Sequence, residues 1–324
     1  MVFTIKRITM PKKVTIIGAG SVGATTAFAL LTRGAESEVV LIDVKTEKAI
    51  GEALDIKQAT PFIDNCDIYA GDYADAAGSN VVIITSGIGR KPGQSRLELV
   101  QTNVDIVKDI SSKIVKVAPD AIYILVANPV DILTYAFLKY TGLPKNQVFG
   151  TGTVLDTIRL RTRLAEIYNV NNQQVHANVL GEHGDSSFVA WSTATIAGVP
   201  LSEFKRAAMS ARDISEEHSK ASVEEYVRKS GGQIIERKGC TVYGIGITST
   251  HIVKSLKGSG DTAMTVSSLH EGEYGINDVC LSSLAFIDRT GVRSIITQTL
   301  TDDELRKLHN SAEALKAVIK DVKF

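Results

Sequence analysis

Cysteine is scarce in this 324-residue chain, which holds only Cys66, Cys240 and Cys280. Odd in number and far apart, they supply neither a disulfide framework nor the paired ligands of a structural metal, so no metal is expected. Excess charge of one sign is also missing. The 36 basic and 36 acidic residues cancel, which leaves no electrostatic footprint for nucleic acid or an anionic membrane surface. No apolar run approaches the roughly 20 residues of a membrane span. Residues 1–13 lack the continuous apolar core of a signal peptide. Internal repeats, low-complexity tracts and a Pro- or Gly-rich linker are absent as well. Together these absences point to a reducing, cytoplasmic setting. Apolar residues, by contrast, make up 44% of the chain. That is enough to bury a large core, and the length suits one large or two fused domains.

From residue 13 onward, short β-rich runs alternate with longer amphipathic ones. Residues 14–17, 39–42, 81–85 and 122–126 are continuous apolar runs, as expected for parallel strands covered by helices on both faces. Val100, Val104, Val107, Ile110, Ile114 and Val117 recur at helical spacing between two of them. The pattern is that of a doubly wound α/β (Rossmann) domain over residues 1–151. A mixed α+β substrate domain is expected over 152–324, with a cleft between the halves. There a helix is expected over 155–168, strands over 175–180 and 187–196, and helical stretches over 201–237. Further strands should lie near 264–268 and 279–286. Thr301 and Glu304 form a capping box for a final helix.

The run Gly18-Ala19-Gly20-Ser21-Val22-Gly23 follows the first strand and opens a helix. Its first glycine permits the turn, its second lets backbone approach a pyrophosphate, and its third packs helix on strand. Asp43 ends the next strand, 20 residues beyond Gly23, where a carboxylate can bind a ribose 2′-hydroxyl and repel a 2′-phosphate. NAD is therefore favoured over NADP. Lys45 softens that preference, and Asp43 as a helix cap or surface acid is the plainer alternative. Asn128, before Pro129, falls at a strand's carboxyl end, where such sheets bind ligands, although Asn-Pro is also a common turn.

The chemistry is expected at Gly181-Glu182-His183-Gly184-Asp185. An imidazole can give and take a proton near neutral pH, and the glycines let a ligand come close. A loop histidine between glycines can also be ordinary. Asp156 and Arg159 share a helix face at a spacing of three, as a binding pair or a plain surface ion pair. Arg90 and Arg96 lie in a Gly/Pro-rich loop that could close over a ligand or merely be solvated.

In order and spacing, these linked motifs resemble the L-lactate/L-malate dehydrogenase family from about residue 13 to near the C-terminus. The resemblance implies that His183 is the proton donor and acceptor, with Asp156 as its carboxylate partner. It further implies that Arg159 grips the substrate carboxylate and Arg96 polarises the carbonyl. Asn128, Arg90 and Thr241 would complete the substrate site, and Thr85, Gly87 and Val126 the NAD site. Arginine at position 90 is the residue usual in the malate branch. Glu182, Ala190-Trp191-Ser192 and Thr241 resemble the bacterial lactate branch, which sets pyruvate first and oxaloacetate second. A bulky-chain 2-hydroxy acid enzyme ranks low, because Arg90 and Thr241 suggest a small, polar far wall. Arg161 and His176 match the cationic pair that binds fructose 1,6-bisphosphate between subunits, and a homotetramer is expected. A dinucleotide-binding regulator without catalysis is the rival class, and it would need no general acid.

Overall fold

A computed structural model describes residues 13–63, 66–89, 96–207 and 219–324. Six strands, β1 (Lys13–Ile17), β2 (Glu38–Ile42), β3 (Asp67–Ala70), β4 (Val81–Ile84), β5 (Ile122–Leu125) and β6 (Val148–Gly150), run parallel. Their order is β3-β2-β1-β4-β5-β6. The chain reverses direction across the sheet between β1 and β4, which opens a crevice at the carboxyl ends of those two strands. β4 and β5 are buried throughout, which is why they read as unbroken apolar runs.

Four helices cover this half: α1 (Ser21–Thr32), α2 (Thr46–Lys57), α3 (Arg96–Ile114) and α4 (Val130–Thr141). The second half begins with α5 (Val154–Tyr168) and the two-residue strands β7 (Val175–His176), β8 (Val179–Leu180), β9 (Phe188–Val189), β10 (Thr195–Ile196) and β11 (Val199–Pro200). It continues through α6 (Leu201–Ala207), α7 (Lys220–Lys238), α8 (Tyr243–Ser255), β12 (Thr262–Glu271), β13 (Asn277–Asp288), β14 (Gly291–Ile295) and α9 (Asp302–Asp321). The antiparallel strands β12, β13 and β14 extend the parallel sheet beyond β6 to nine strands. One core cluster packs α3, α4 and α9 against one face of this sheet, and another packs α1, α2 and α8 against the opposite face.

Several sequence expectations shift. Thr85 and Val126 fall just past their strands, and the helix expected up to Val117 ends at Ile114. The single strand expected over 187–196 is two short ones separated by a 3-10 turn at Trp191–Thr193. The indole N–H of Trp191 donates to Glu224 Oε1 at 2.6 Å, fixing that turn against α7. Residues 208–218, expected to be helical, lie outside the described residues. β3, β6, β14 and α8 carry no clear sequence signature. α8 is rich in glycine and β-branched residues, which are poor helix formers. It forms because it packs on α1, so closely that a Cβ on Gly246 would meet Thr25 Cγ2 at 2.8 Å. The capping box is present: Thr301 Oγ1 accepts from Glu304 N–H, and Glu304 Oε2 accepts from Thr301 N–H at 3.0 Å. No helix among the described residues is long and apolar enough to cross a membrane.

Candidate active site

The turn after β1 is built as the glycine spacing predicts. Gly18 takes φ +112°, a left-handed conformation that suits glycine. A Cβ on Gly23, in the first turn of α1, would lie 1.8 Å from Gly18 O, so only glycine lets the helix sit this close to the strand. Around Gly20 the space is open: a Cβ there would meet nothing within 4 Å. Ser21 opens α1 with no acidic residue in the first turn and no side-chain cap from Gly20. The free N–H groups of the helix therefore face open space with the positive end of the dipole behind them, as an anion requires. Asp43 accepts from Ala19 N–H at 2.7 Å and Lys45 N–H at 2.8 Å. Asp43 thus braces the turn and does not cap α2, whose N-cap Lys45 has no side-chain cap bond. It also borders a cavity of about 650 Å³ shared with Gly18, Gly20, Lys45, Thr85 and Gly87. An open glycine cradle, a helix N-terminus and a carboxylate at the next strand's end fit an adenine dinucleotide.

A second cavity, of about 380 Å³, adjoins the first, with Thr85, Gly87 and Ile88 lining both. Val22, Val126 and Asn128 line it from the parallel half, and Arg159, His183 and Thr241 from the other. Residues more than 160 positions apart thus meet in one cleft.

His183 is held from three directions. Its backbone N–H donates to Asp131 Oδ2 of α4 at 2.8 Å. Two residues earlier, Gly181 exchanges both backbone bonds with Ser282 of β13 at 2.9 Å, at φ +93°. Between them, Glu182 N–H donates to Ser311 Oγ of α9 at 2.7 Å. The imidazole Nδ1 lies 2.6 Å from Asp156 Oδ2, while Arg159 Nη1 donates to Asp156 Oδ1 at 2.8 Å. One carboxylate on α5 therefore orients both the proton carrier and the guanidinium. With Nδ1 engaged, Nε2 is the ring nitrogen left for a ligand.

Burial opposes charge on His183, yet Asp156, and then Asp131, outweigh it and hold the imidazole above the ordinary histidine value of 6.5. Burial would likewise raise Asp156, but His183 and Arg159 outweigh it and hold the carboxyl below its usual 3.8. Asp131, only 2% exposed, is pushed up to about 6 by burial. Its Oδ1 has no hydrogen bond of good geometry among the described residues. Sequence reasoning missed Asp131, although its place four residues after Ala127 in the run Asn128-Pro129-Val130-Asp131 was a usable signal. It also missed Asn103, 1% exposed, which accepts from Ile88 N–H at 2.9 Å and donates to Asn128 O at 2.9 Å.

Four further expected residues are not seen in this cleft, two of them, Arg161 and His176, having been expected at a separate effector site. Arg90 lies outside the described residues. Arg96, expected on a loop, is the first residue of α3. Arg161 donates to Ala177 O at 3.0 Å and Asn178 Oδ1 at 3.1 Å, and His176 is exposed on β7. Neither lines the cavity with His183. Thr241 lines the cavity together with Gly231, Gly232, Ile235 and Ile245; Arg90, on which the expected small polar wall also rested, lies outside the described residues.

The same arrangement of motifs marks known proteins. Residues 12–150 match the family model for the NAD-binding domain of lactate/malate dehydrogenases, and residues 153–324 match that for their α/β C-terminal domain. The chain is 43% identical to the L-lactate dehydrogenase of Acetivibrio thermocellus, over 95% of this chain and 96% of that one. It is 42% identical to the L-lactate dehydrogenase of a Thermoanaerobacter species, over 96% and 99%. Among solved structures, the minor L-lactate dehydrogenase of Enterococcus mundtii superposes with a TM-score of 0.92 at 39% identity, over 97% of this chain and 99% of that one. With the cofactor cradle and the His183–Asp156–Arg159 cluster in one cleft, these matches establish that the chain belongs to the lactate/malate dehydrogenase family.

Proposed function

We propose that this protein is an NAD-dependent L-lactate dehydrogenase: pyruvate + NADH + H⁺ ⇌ L-lactate + NAD⁺. The observation that carries this reading is the single carboxylate of Asp156, bonded to both His183 and Arg159 on the wall of the cleft. Bound nicotinamide supplies the hydride. The chain does the rest. Arg159 offers the planar fork that binds a carboxylate in two-point fashion, which lysine cannot imitate. His183, protonated at Nε2, donates to the keto oxygen and delivers its proton there as the alcohol forms. Asp156 stabilises the imidazolium and fixes its orientation. Arg96, at the start of α3, adds a second positive charge at that oxygen. Gly18, Gly20, Ser21, Val22, Gly23, Asp43, Thr85, Gly87, Val126 and Asn128 hold the cofactor. Asn128 and Thr241 also border the substrate.

Malate dehydrogenase is the second reading, favoured by Arg90. A guanidinium facing the methyl of pyruvate would be an unpaired charge, whereas the second carboxylate of oxaloacetate would pair it. The names of the relatives support lactate. Oligomeric assembly, with a tetramer first, and activation by fructose 1,6-bisphosphate through Arg161 and His176 belong to the same proposal, as does a cytoplasmic location.

The test is kcat/KM for pyruvate and oxaloacetate with NADH, with and without fructose 1,6-bisphosphate. Pyruvate should be preferred, and Arg90→Gln should widen the preference. An oxaloacetate preference of tenfold or more would reverse the order, and an unchanged ratio in Arg90→Gln would remove that residue from the substrate site.

A further inference from the structure

Serine and threonine inside a helix often turn their hydroxyls back onto the carbonyl four residues earlier. Thr134, Ser230, Thr250 and Ser255 do so here. Ser311, in the middle of α9 and fully buried, reaches outward to the His183 turn instead. The turn is shaped to receive it. Gly181 takes φ +93°, and a Cβ there would lie 2.8 Å from Ser311 Oγ, so a side chain at 181 would displace the hydroxyl.

Three hydrogen bonds then close on themselves. Glu182 N–H donates to Ser311 Oγ at 2.7 Å, and Ser311 Oγ lies 2.9 Å from Ser186 Oγ. Ser186 Oγ in turn donates to Glu182 Oε2 at 2.5 Å. A hydroxyl has one proton to give. That of Ser186 is committed to the carboxylate, so Ser311 donates to Ser186. The ring runs in one direction, starts and ends on Glu182, and uses both hydroxyl protons. Its last bond is charge-assisted, and in such a chain each bond polarises the next. Gly184 makes the closure possible: a Cβ there would lie 2.8 Å from Glu182 Cδ, so a side chain would push the carboxylate out of the ring.

This ring brackets His183 in the chain, from residue 182 to residue 186. It fixes the Glu182 N–H from α9, while Asp131 fixes the next N–H, that of His183, from α4. Two successive backbone groups are thus pinned just ahead of an imidazole that meets Asp156 at 2.6 Å. Such pinning matters because misplacing a reacting group by an ångström can cost about 100-fold in rate. We propose that Ser311, acting through Ser186 and the folded-back carboxylate of Glu182, is a positioning residue for the proton carrier His183. This rests on the dehydrogenase reading above and extends its machinery to the C-terminal helix.

The experiment measures kcat/KM for pyruvate and Kd for NADH in the wild type, Ser311→Ala, Ser186→Ala, the double variant and Ser186→Thr. Each alanine should lower kcat/KM about 5–20-fold while Kd for NADH stays within about twofold, because the cofactor cradle is built from other elements. Either alanine opens the same ring, so the double variant should fall no more than about twofold below the worse single one. Ser186→Thr keeps the hydroxyl and should return kcat/KM to within about threefold of the wild type. Should Ser311→Ala not fold, Ser186→Ala and its threonine rescue decide alone, since Ser186 is only half-buried on a loop. An unchanged kcat/KM in Ser186→Ala overturns the proposal, as do losses that multiply in the double variant or a threonine no faster than alanine. A wild type that reduces no 2-oxo acid, pyruvate included, refutes the dehydrogenase reading itself and the proposal with it.

Discussion

His183 works between two carboxylates of different character. Asp156 touches the ring, whereas Asp131 touches only the backbone N–H yet adds to the positive charge the imidazole can hold. Reduction of a keto acid needs the protonated imidazole, so kcat/KM for pyruvate should be level at low pH and fall as pH rises through the raised His183 pKa. Oxidation of lactate should follow the opposite limb. Asp131→Asn keeps an acceptor for the His183 N–H but removes the charge, so the falling limb should move to lower pH. Its effect on stability has its own sign. The folded state holds the Asp131 proton up to about pH 6, well above its usual 3.8. Above that pH, ionising the buried group costs at most about 3 kcal/mol. At pH 8, Asp131→Asn should therefore be no less stable than the wild type. A pH profile of kcat/KM with parallel urea titrations checks both statements. An unmoved limb would mean that Asp131 braces the loop without acting on the imidazole.

Among the elements, the site depends on how loop corners are tied to helices. Asn103, buried on α3, holds the Ile88 N–H and carbonyl after β4 and the Asn128 carbonyl after β5. It thereby locks the two corners that border both the cofactor and the substrate cavities. Asn103→Leu keeps the branching of the side chain but leaves these backbone groups without their partner. It should lower the unfolding free energy by about 1–3 kcal/mol and raise KM for both NADH and pyruvate several-fold. Urea titration and initial rates measure this, and unchanged values would show that the corners hold without it. Asn103 was not legible in the sequence. A polar residue inside an amphipathic helix looks the same whether it faces solvent or two distant loop corners, and only tertiary contact separates the cases. The glycine turn and the Asp156–Arg159 pair were legible, because their geometry is set within a few residues. α8 was not, since its helix depends on the surface of α1.

Across the whole molecule, the parallel core was legible because buried strands leave unbroken apolar runs. The addition of β12, β13 and β14 to the same sheet was not, because a single bridge between Ser267 and Gly150 makes that join. This continuous sheet sets α4, which carries Asp131, beside β13, which bonds the His183 loop, and so closes the cleft from both halves. Most of the site exists only at this scale. His183 and Asn128 are far apart in sequence, and no local pattern says that they share a wall. The most direct measurement is a structure of the protein with NADH and oxamate, a pyruvate analogue that cannot be reduced. The oxamate carboxylate should lie forked on Arg159, with its amide oxygen within hydrogen-bond reach of His183 Nε2. Oxamate bound away from both side chains, with Arg159 still engaged only by Asp156, would contradict the account.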